Sequence, residues 1–459
     1  MENLWILTEE RPKVSVLLKI IELYCDDFGD SIEENTTPTI TPIVKDGFFS
    51  FSYCLVGIKL KNISNIFILT VSGESSFFDF LIVKQVEKPE GNYCGPNVLM
   101  AIEETKTSDD ESRNTGVYQR ASKFAFIDIF FKNIKKYMLY NDELIVRQNK
   151  KPSATSVFGT NMLLTQDVKI VGKDISSWFS SFNSINDLIK LKSQMRLPPA
   201  GNVPITITMN VNVIVVTGRL EKPIGSGNIA HDPNIGAISC ISKTIRDLGW
   251  KNGILLRNHG VSQSYINSLK TGNKFLSICK LLSIEMEGIS IPDFELPTDY
   301  WHYEKSSEKI ASIFLHIVAE NFGLKAIYQN HAGCERGYFK TQNNPFVVLP
   351  KKDSQGELLF IPDLILLSEA TKEILIIEGK QLKTLANGIS ELNNYGSITN
   401  EFIIKNYPKH TISKWLTIFG GNLSNIPHPS VLLYISEDGN IVINENAPLV
   451  IRNAFTGLV

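Results

Sequence analysis

The chain has 459 residues, of which 43% are hydrophobic and 20% charged, and its formal net charge is −2 at pH 7. This composition is typical of a globular protein and excludes wholesale disorder, while the length predicts two or three domains. The sequence shows no secretory signal, and no uncharged apolar run reaches the roughly 20 residues of a membrane helix. Six scattered cysteines without a CxxC pair favour neither a zinc site nor a disulfide framework. We therefore expect a soluble intracellular protein with no membrane partner.

The first half of the chain predicts a mixture of helices and strands. Residues 13–25 have helical spacing, and residues 48–85 contain strand-like runs separated by polar breaks. Residues 120–139 predict an amphipathic helix. Almost perfect alternation over residues 198–218 predicts one long strand with a polar face. A helix that has Pro233 in its first turn should follow.

A polar segment between a short strand and a helix, residues 256–265, offers candidate contacts to DNA bases. Arg257 suits guanine, and Asn258 and Gln263 suit adenine; His259 lies between them. The alternative is an ordinary polar loop that caps the following helix.

Two prolines and a lack of periodicity over residues 288–301 predict a domain boundary. We expect an N-terminal region over 1–290, a linker over 291–300 and a C-terminal domain over 301–459. The N-terminal region is either one domain or two, with a break near 150–200 in the second case.

The C-terminal domain predicts an α/β (α+β) fold with a mixed central sheet flanked by helices. The elements follow the order helix, strand, strand, strand, helix and strand. The first helix covers residues 306–323, with Ser306 or Ser307 as its N-cap. Two aliphatic runs, 358–368 and 373–380, form a predicted antiparallel hairpin joined by the polar link 369–372.

Three charged residues interrupt this hydrophobic hairpin. With the turn centred between residues 370 and 371, Asp363 faces Glu378 across the strands, and Lys380 lies on the same face as Glu378. Two facing carboxylates repel each other unless a cation lies between them, and their hard oxygens suit Mg²⁺. A bound metal activates water and stabilises charge on phosphate, so the site predicts phosphodiester hydrolysis. The alternative is an ordinary hairpin with solvated strand ends.

The sequence Pro362-Asp363, fourteen intervening residues and then Glu378-Gly379-Lys380 resembles the PD-(D/E)xK nuclease superfamily. The resemblance covers roughly residues 301–440. It implies a restriction-endonuclease-like fold in which Asp363 and Glu378 hold Mg²⁺, while Lys380 orients the attacking water or neutralises the transition state.

The resemblance also implies a further metal ligand on the preceding helix. Glu308 is the candidate, and Glu304, one turn earlier, is its rival. Lys383, just past the motif, is a candidate contact to the DNA strand that is cut.

The region before residue 290 then becomes a DNA-recognition region, and the whole chain looks most like a type II restriction endonuclease. Its implied partners are double-stranded DNA and a second copy of the chain, with no nucleotide cofactor, in a prokaryotic cytoplasm. One alternative is a PD-(D/E)xK nuclease of repair, recombination or mobile elements that reads DNA structure. Another is a DNA-binding protein without catalytic activity.

Overall fold

The computed structural model describes residues 2–9, 11–71, 77–89, 97–105, 116–131, 133–140, 152–172, 178–196, 204–221, 225–229, 233–269, 273–298, 300, 307–331, 338–344, 347–456 and 458. Within them the strands are β1 (Glu2–Thr8), β2 (Ile32–Lys45), β3 (Phe48–Leu60), β4 (Ile63–Thr70), β5 (Phe80–Gln85), β6 (Val98–Thr105), β7 (Lys135–Tyr140), β8 (Val168–Val171), β9 (Thr206–Met209), β10 (Val213–Thr217), β11 (Gly253–Arg257), β12 (Ile284–Met286), β13 (Lys325–Gln329), β14 (Tyr338–Phe339), β15 (Val347–Val348), β16 (Leu364–Ser368), β17 (Glu373–Gln381), β18 (Thr411–Phe419), β19 (Val431–Ile435) and β20 (Ile441–Ile443). The helices are α1 (Val14–Phe28), α2 (Gly116–Ile127), α3 (Ala154–Thr165), α4 (Ile185–Ser193), α5 (Pro233–Asp247), α6 (Gln263–Ser268), α7 (Lys274–Leu282), α8 (Lys309–Asn321), α9 (Leu385–Glu391), α10 (Gly396–Ile398), α11 (Ile404–Asn406) and α12 (Leu449–Phe455).

The chain forms two compact units. The first combines Met1–Ser72, Lys84–Pro89 and Tyr303–Val459, and the second combines Gly73–Val83 and Glu90–His302. This division differs from the predicted one, because β1–β4 belong with the C-terminal residues. None of the described helices is long and apolar enough to cross a membrane.

The first unit contains a six-stranded mixed sheet in the order β13-β16-β17-β18-β19-β20. β13, β16 and β17 are antiparallel neighbours, whereas β17, β18 and β19 run parallel. The helical stretch α9–α11 connects β17 to β18, as a parallel connection requires. The α/β class with a mixed sheet flanked by helices is therefore confirmed. The predicted elements occur in the predicted order, and the structure adds the strands β14, β15, β18 and β20 and the helix α12.

The β16–β17 hairpin has the predicted register. Leu364 pairs with Ile377, and Ser368 pairs with Glu373, so the turn occupies residues 369–372 as expected. The first strand is shorter than predicted and begins at residue 364 instead of 358. Both strands are buried on both faces, which explains their continuous aliphatic sequences.

The N-terminal hairpin β2–β3 packs within the same unit as the C-terminal sheet. The Phe49 ring lies 4.6 Å from the Phe314 ring of α8, and the Phe49 N–H donates to the Gly439 carbonyl at 2.8 Å. The Asn321 side-chain amide at the end of α8 donates to the Ile40 carbonyl at 2.7 Å. These contacts explain why the predicted boundary between residues 290 and 301 does not separate the N-terminal strands from the C-terminal unit.

The second unit contains strands β5-β6-β7-β8 in sequence order and a separate sheet β12-β11-β10-β9. The predicted strand over 198–218 is wrong in its length: β9 and β10 form an antiparallel hairpin, with Met209 opposite Ile214. The predicted helix over 120–139 is also wrong at its end. α2 stops at Ile127, and residues 135–140 form β7, which is buried along most of its length.

Candidate active site at the β16–β17 hairpin

Asp363 and Glu378 lie next to each other at the start of the hairpin. Asp363 immediately precedes β16, and the register that pairs Leu364 with Ile377 places Asp363 opposite Glu378. The Gly379 N–H donates to Asp363 Oδ2 at 2.8 Å, and the Asn330 N–H donates to the Asp363 carbonyl at 2.7 Å. The backbone on both sides of Asp363 therefore holds this residue in place.

The glycine of the motif lies where the chain is crowded. A Cβ atom at Gly379 would lie 2.9 Å from the Glu308 carbonyl, 3.1 Å from Asp363 Oδ2 and 3.2 Å from Ser312 Oγ. A larger residue would therefore push the start of α8 away from the carboxylates. This close approach explains why glycine separates Glu378 from Lys380.

Two side chains bind the carboxylate of Glu378, whose residue is only 6% exposed. Lys380 Nζ lies 2.6 Å from Glu378 Oε1, and the Tyr395 hydroxyl donates to Oε2 at 2.5 Å. Lys380 also lies 3.0 Å from Glu391 Oε2. The carboxylate is thus fixed in orientation by a cation on one oxygen and a phenol on the other.

Tyr395 and Glu391 are site residues that the sequence analysis missed. Both belong to the helical stretch that follows β17, where they are four residues apart and can occupy one helix face. That spacing, in the helix immediately after the hairpin that carries Glu378 and Lys380, is the signal that the sequence offers. By itself it is indistinguishable from ordinary packing.

Burial raises the pKa values of both carboxyl groups. Burial is the larger cause at Asp363, followed by the negative charge of Glu378, and together they raise its pKa well above the usual range. Burial also raises the pKa of Glu378, although Lys380 and Tyr395 oppose this shift. A cation between the two groups would favour both charged forms.

Lys380 keeps its positive charge in this environment. Burial favours its neutral form, but the hydrogen bonds and charges of Glu378 and Glu391 outweigh burial and raise the lysine pKa. An ammonium group has no lone pair with which to accept a proton from water. Its geometry therefore suits charge neutralisation and hydrogen-bond donation.

The donor atoms at this site fit Mg²⁺. Mg²⁺ is often held by one or two carboxylates, with waters and substrate phosphate completing its shell. Asp363 and Glu378 supply the carboxylates, and they lie opposite each other across the two strands. Among the described residues, no three His, Cys, Asp or Glu side chains are grouped as a metal site.

The helix glutamate and the downstream lysine lie near the hairpin. Glu308 is exposed at the start of α8, and its charge contributes to the raised pKa of Asp363. The N-cap of α8 is Glu308 instead of the predicted Ser306 or Ser307, although Ser307 Oγ accepts the Lys309 N–H at 3.3 Å. Glu304 lies outside the described residues, and Lys383 is exposed in the 3₁₀ turn Leu382–Thr384. Metal binding by Glu308 and DNA contact by Lys383 stay predictions.

The candidate DNA-reading residues in the second unit have different surroundings. His259 is buried, with Nε2 at 2.9 Å from the Glu287 carbonyl and Nδ1 accepting the Val261 N–H. The Gln263 amide exchanges two hydrogen bonds with the Ser290 backbone. These two side chains hold loops together, which leaves them poorly placed to read bases.

The other two candidates are exposed at the end of β11. Arg257 forms a 2.9 Å ion pair with Glu287, and Asn258 has a left-handed backbone with a φ of 57°. Both side chains remain accessible to a ligand on that surface.

A chain of buried polar side chains starts beside Gly379. Ser312 Oγ lies 3.2 Å from His331 Nδ1, and His331 Nε2 lies 2.9 Å from His316 Nδ1. His316 Nε2 lies 3.2 Å from Glu320 Oε1, although it is not aligned for a good hydrogen bond. Glu320 in turn is ion-paired with Arg11. The chain joins α8 to the segment after β13, which carries Asn330 and contacts Asp363.

We expect this chain to make the first unit sensitive to acid. Burial lowers the pKa of His316 to about 4 and that of His331 well below the usual range. In the unfolded chain a histidine has a pKa near 6.5. Below that pH the unfolded chain therefore binds protons that the folded chain does not bind, and the free energy of unfolding falls. At pH 5 the loss of stability from His316 should be about 2 kcal/mol, and His331 should add a loss of the same sign.

Urea unfolding at pH 7 and pH 5 checks this loss. His316→Gln should reduce the difference between the two pH values, whereas Leu423→Ala, at an exposed and uncharged residue of the same unit, should leave it intact. An undiminished pH dependence in His316→Gln would contradict the assignment.

Comparisons with protein families, curated proteins and solved structures gave no match for this chain.

Proposed function

We propose that the protein is a Mg²⁺-dependent endodeoxyribonuclease that cuts double-stranded DNA at a specific sequence, as a type II restriction endonuclease does in a prokaryotic cytoplasm. The observation that supports this most is the pair of facing carboxylates on neighbouring antiparallel strands, with a lysine bonded to one of them. The sheet and the preceding helix also follow the order expected for a PD-(D/E)xK nuclease.

Each residue at the hairpin has a distinct part in this proposal. When bound, Mg²⁺ supplies an activated water and neutralises charge on the scissile phosphate. Asp363 and Glu378 provide its carboxylate ligands, and the Gly379 N–H and Tyr395 hydroxyl fix their orientation. Lys380 donates hydrogen bonds and positive charge toward the phosphate.

In this proposal the second unit recognises the DNA sequence. Arg257 and Asn258 are exposed at the end of β11, and their side chains have the donors and acceptors that guanine and adenine edges require. Cutting both strands then needs two catalytic centres, which a homodimer on DNA would provide.

Digestion of unmethylated phage DNA with Mg²⁺ tests the proposal. We expect discrete fragments that disappear with EDTA and in an Asp363→Ala variant. A smear that also disappears with EDTA and in Asp363→Ala would support a metal-dependent nuclease but contradict sequence specificity.

Two other outcomes favour the alternatives. Cleavage confined to forks, junctions or ends would support a nuclease that reads DNA structure. Binding of DNA without cleavage, and without a divalent-metal site that depends on Asp363, would support a non-catalytic DNA-binding protein.

A further inference from the structure

The second unit repeats the strand arrangement of the proposed catalytic sheet. β5 is antiparallel to β6, and β6, β7 and β8 run parallel. β16, β17, β18 and β19 have the same order and the same directions. In both units a helical segment, α2 or α9–α11, connects the second strand to the third. The two sheets therefore share a four-strand topology.

The repeat extends to a pair of carboxylates in the same register. Asp79 immediately precedes β5, just as Asp363 immediately precedes β16. Since Phe80 pairs with Ile102, Asp79 lies opposite Glu103 on β6. The positions of Asp79 and Glu103 correspond to those of Asp363 and Glu378.

The same backbone hydrogen bond fixes the aspartate in both places. The Glu104 N–H donates to Asp79 Oδ2 at 2.7 Å, and the Gly379 N–H donates to Asp363 Oδ2 at 2.8 Å. In each case the donor follows the facing glutamate. The two acidic pairs therefore agree in strand topology, in register and in this hydrogen bond. Two unrelated acidic pairs would not be expected to agree in all three.

The two centres differ in their cations. Lys123 Nζ lies 2.9 Å from each carboxylate oxygen of Glu103, and Arg120 Nε lies 3.3 Å from Oε1. Both cations come from α2. On the strand itself, Thr105 lies two residues after Glu103, as Lys380 lies two residues after Glu378. The Glu103 side chain is only 3% exposed. Two fixed cations therefore balance the two carboxylates of this centre.

The proposed catalytic centre has the opposite balance. There Lys380 is the cation bound to Glu378, and the following helix contributes another carboxylate, Glu391, instead of a cation. Lys380 contacts two carboxylates, and its charge also acts on Asp363, so one ammonium group serves three carboxylates. That excess of negative charge attracts a divalent cation, whereas the Asp79–Glu103 centre offers no such excess among the described residues.

We infer that the second unit carries a non-cutting copy of the nuclease core, in which Lys123 and Arg120 occupy the electrostatic role that a divalent metal has at Asp363 and Glu378. Each chain then has one metal-dependent centre, and cutting both DNA strands requires two chains. This inference rests on the proposed function. At the Asp79–Glu103 site the balancing cations are then Lys123 and Arg120 of the protein itself.

Counting bound Mn²⁺ per chain tests the inference, by electron paramagnetic resonance and titration calorimetry on the full-length protein without DNA. We expect one site in the wild type, lost in Asp363→Asn and retained in Asp79→Asn. Replacing both cations, by Arg120→Gln with Lys123→Met, should raise the count to two. Adding Asp79→Asn to that variant should return it to one.

The outcomes separate this inference from the proposed function. Two sites in the wild type, one of them lost in Asp79→Asn, would overturn the inference and leave the nuclease proposal standing. A folded double-cation variant that still binds one Mn²⁺ would overturn the role given to Lys123 and Arg120. Absence of any Asp363-dependent site would overturn both proposals. Circular dichroism and the unfolding temperature establish that each variant is folded.

Discussion

Replacing Asp363 with asparagine, or Glu378 with glutamine, should lower the DNA cleavage rate by about 10³-fold or more, the scale on which electrostatic transition-state stabilisation is lost. Both changes preserve side-chain shape while removing a negative charge. The amide oxygen of the new asparagine can still accept the Gly379 N–H, and that of the new glutamine can still accept the Tyr395 hydroxyl. We therefore expect folding and DNA binding to survive.

Single-turnover cleavage and fluorescence anisotropy with labelled DNA measure the two properties separately. Glu369→Gln is the matched control, because Glu369 lies in the turn of the same hairpin with a side chain that is 44% exposed. It should cleave at the wild-type rate. Wild-type cleavage by either Asp363→Asn or Glu378→Gln would refute the site assignment.

Phe49→Ala should destabilise the first unit by about 3–5 kcal/mol, the usual loss for truncating a buried phenylalanine. Phe49 is only 2% exposed and packs against Phe314 of α8, whose N-terminal end adjoins the proposed active site. Denaturant unfolding of the full chain measures the loss.

The adjacent residue is a close control. Phe48 is 45% exposed, so Phe48→Ala should change stability by less than about 1 kcal/mol. A fragment of residues 301–459 that folds by itself, with sharp dispersed NMR signals, would contradict the role given to the N-terminal strands.

Local patterns in the sequence were sufficient to predict the register of the β16–β17 hairpin. The short link 369–372 and the two-residue period of strands leave one register that buries the aliphatic residues, and that register places Asp363 opposite Glu378. The same logic failed over residues 198–218. Alternation continues on both sides of the turn at 210–212, so two strands resembled one.

Interactions between distant segments could not be predicted in this way. β7 has a short apolar sequence next to α2, and its burial within a sheet becomes evident only when its neighbours are known. The placement of β1–β4 with the C-terminal unit depends on contacts such as Phe49 with Phe314. Asp79 and Glu103 likewise become a pair only through the register of β5 and β6.

The division of the first unit into separate chain segments has a consequence during synthesis on the ribosome. Strands β1–β4 precede the second unit in the chain, but α8 and the six-stranded sheet are translated only after all of the second unit. Because folding units form as their residues become available, the second unit can fold while the first still lacks its central sheet. The proposed cutting centre would therefore be assembled after the second unit, which delays nuclease activity until the six-stranded sheet has been translated.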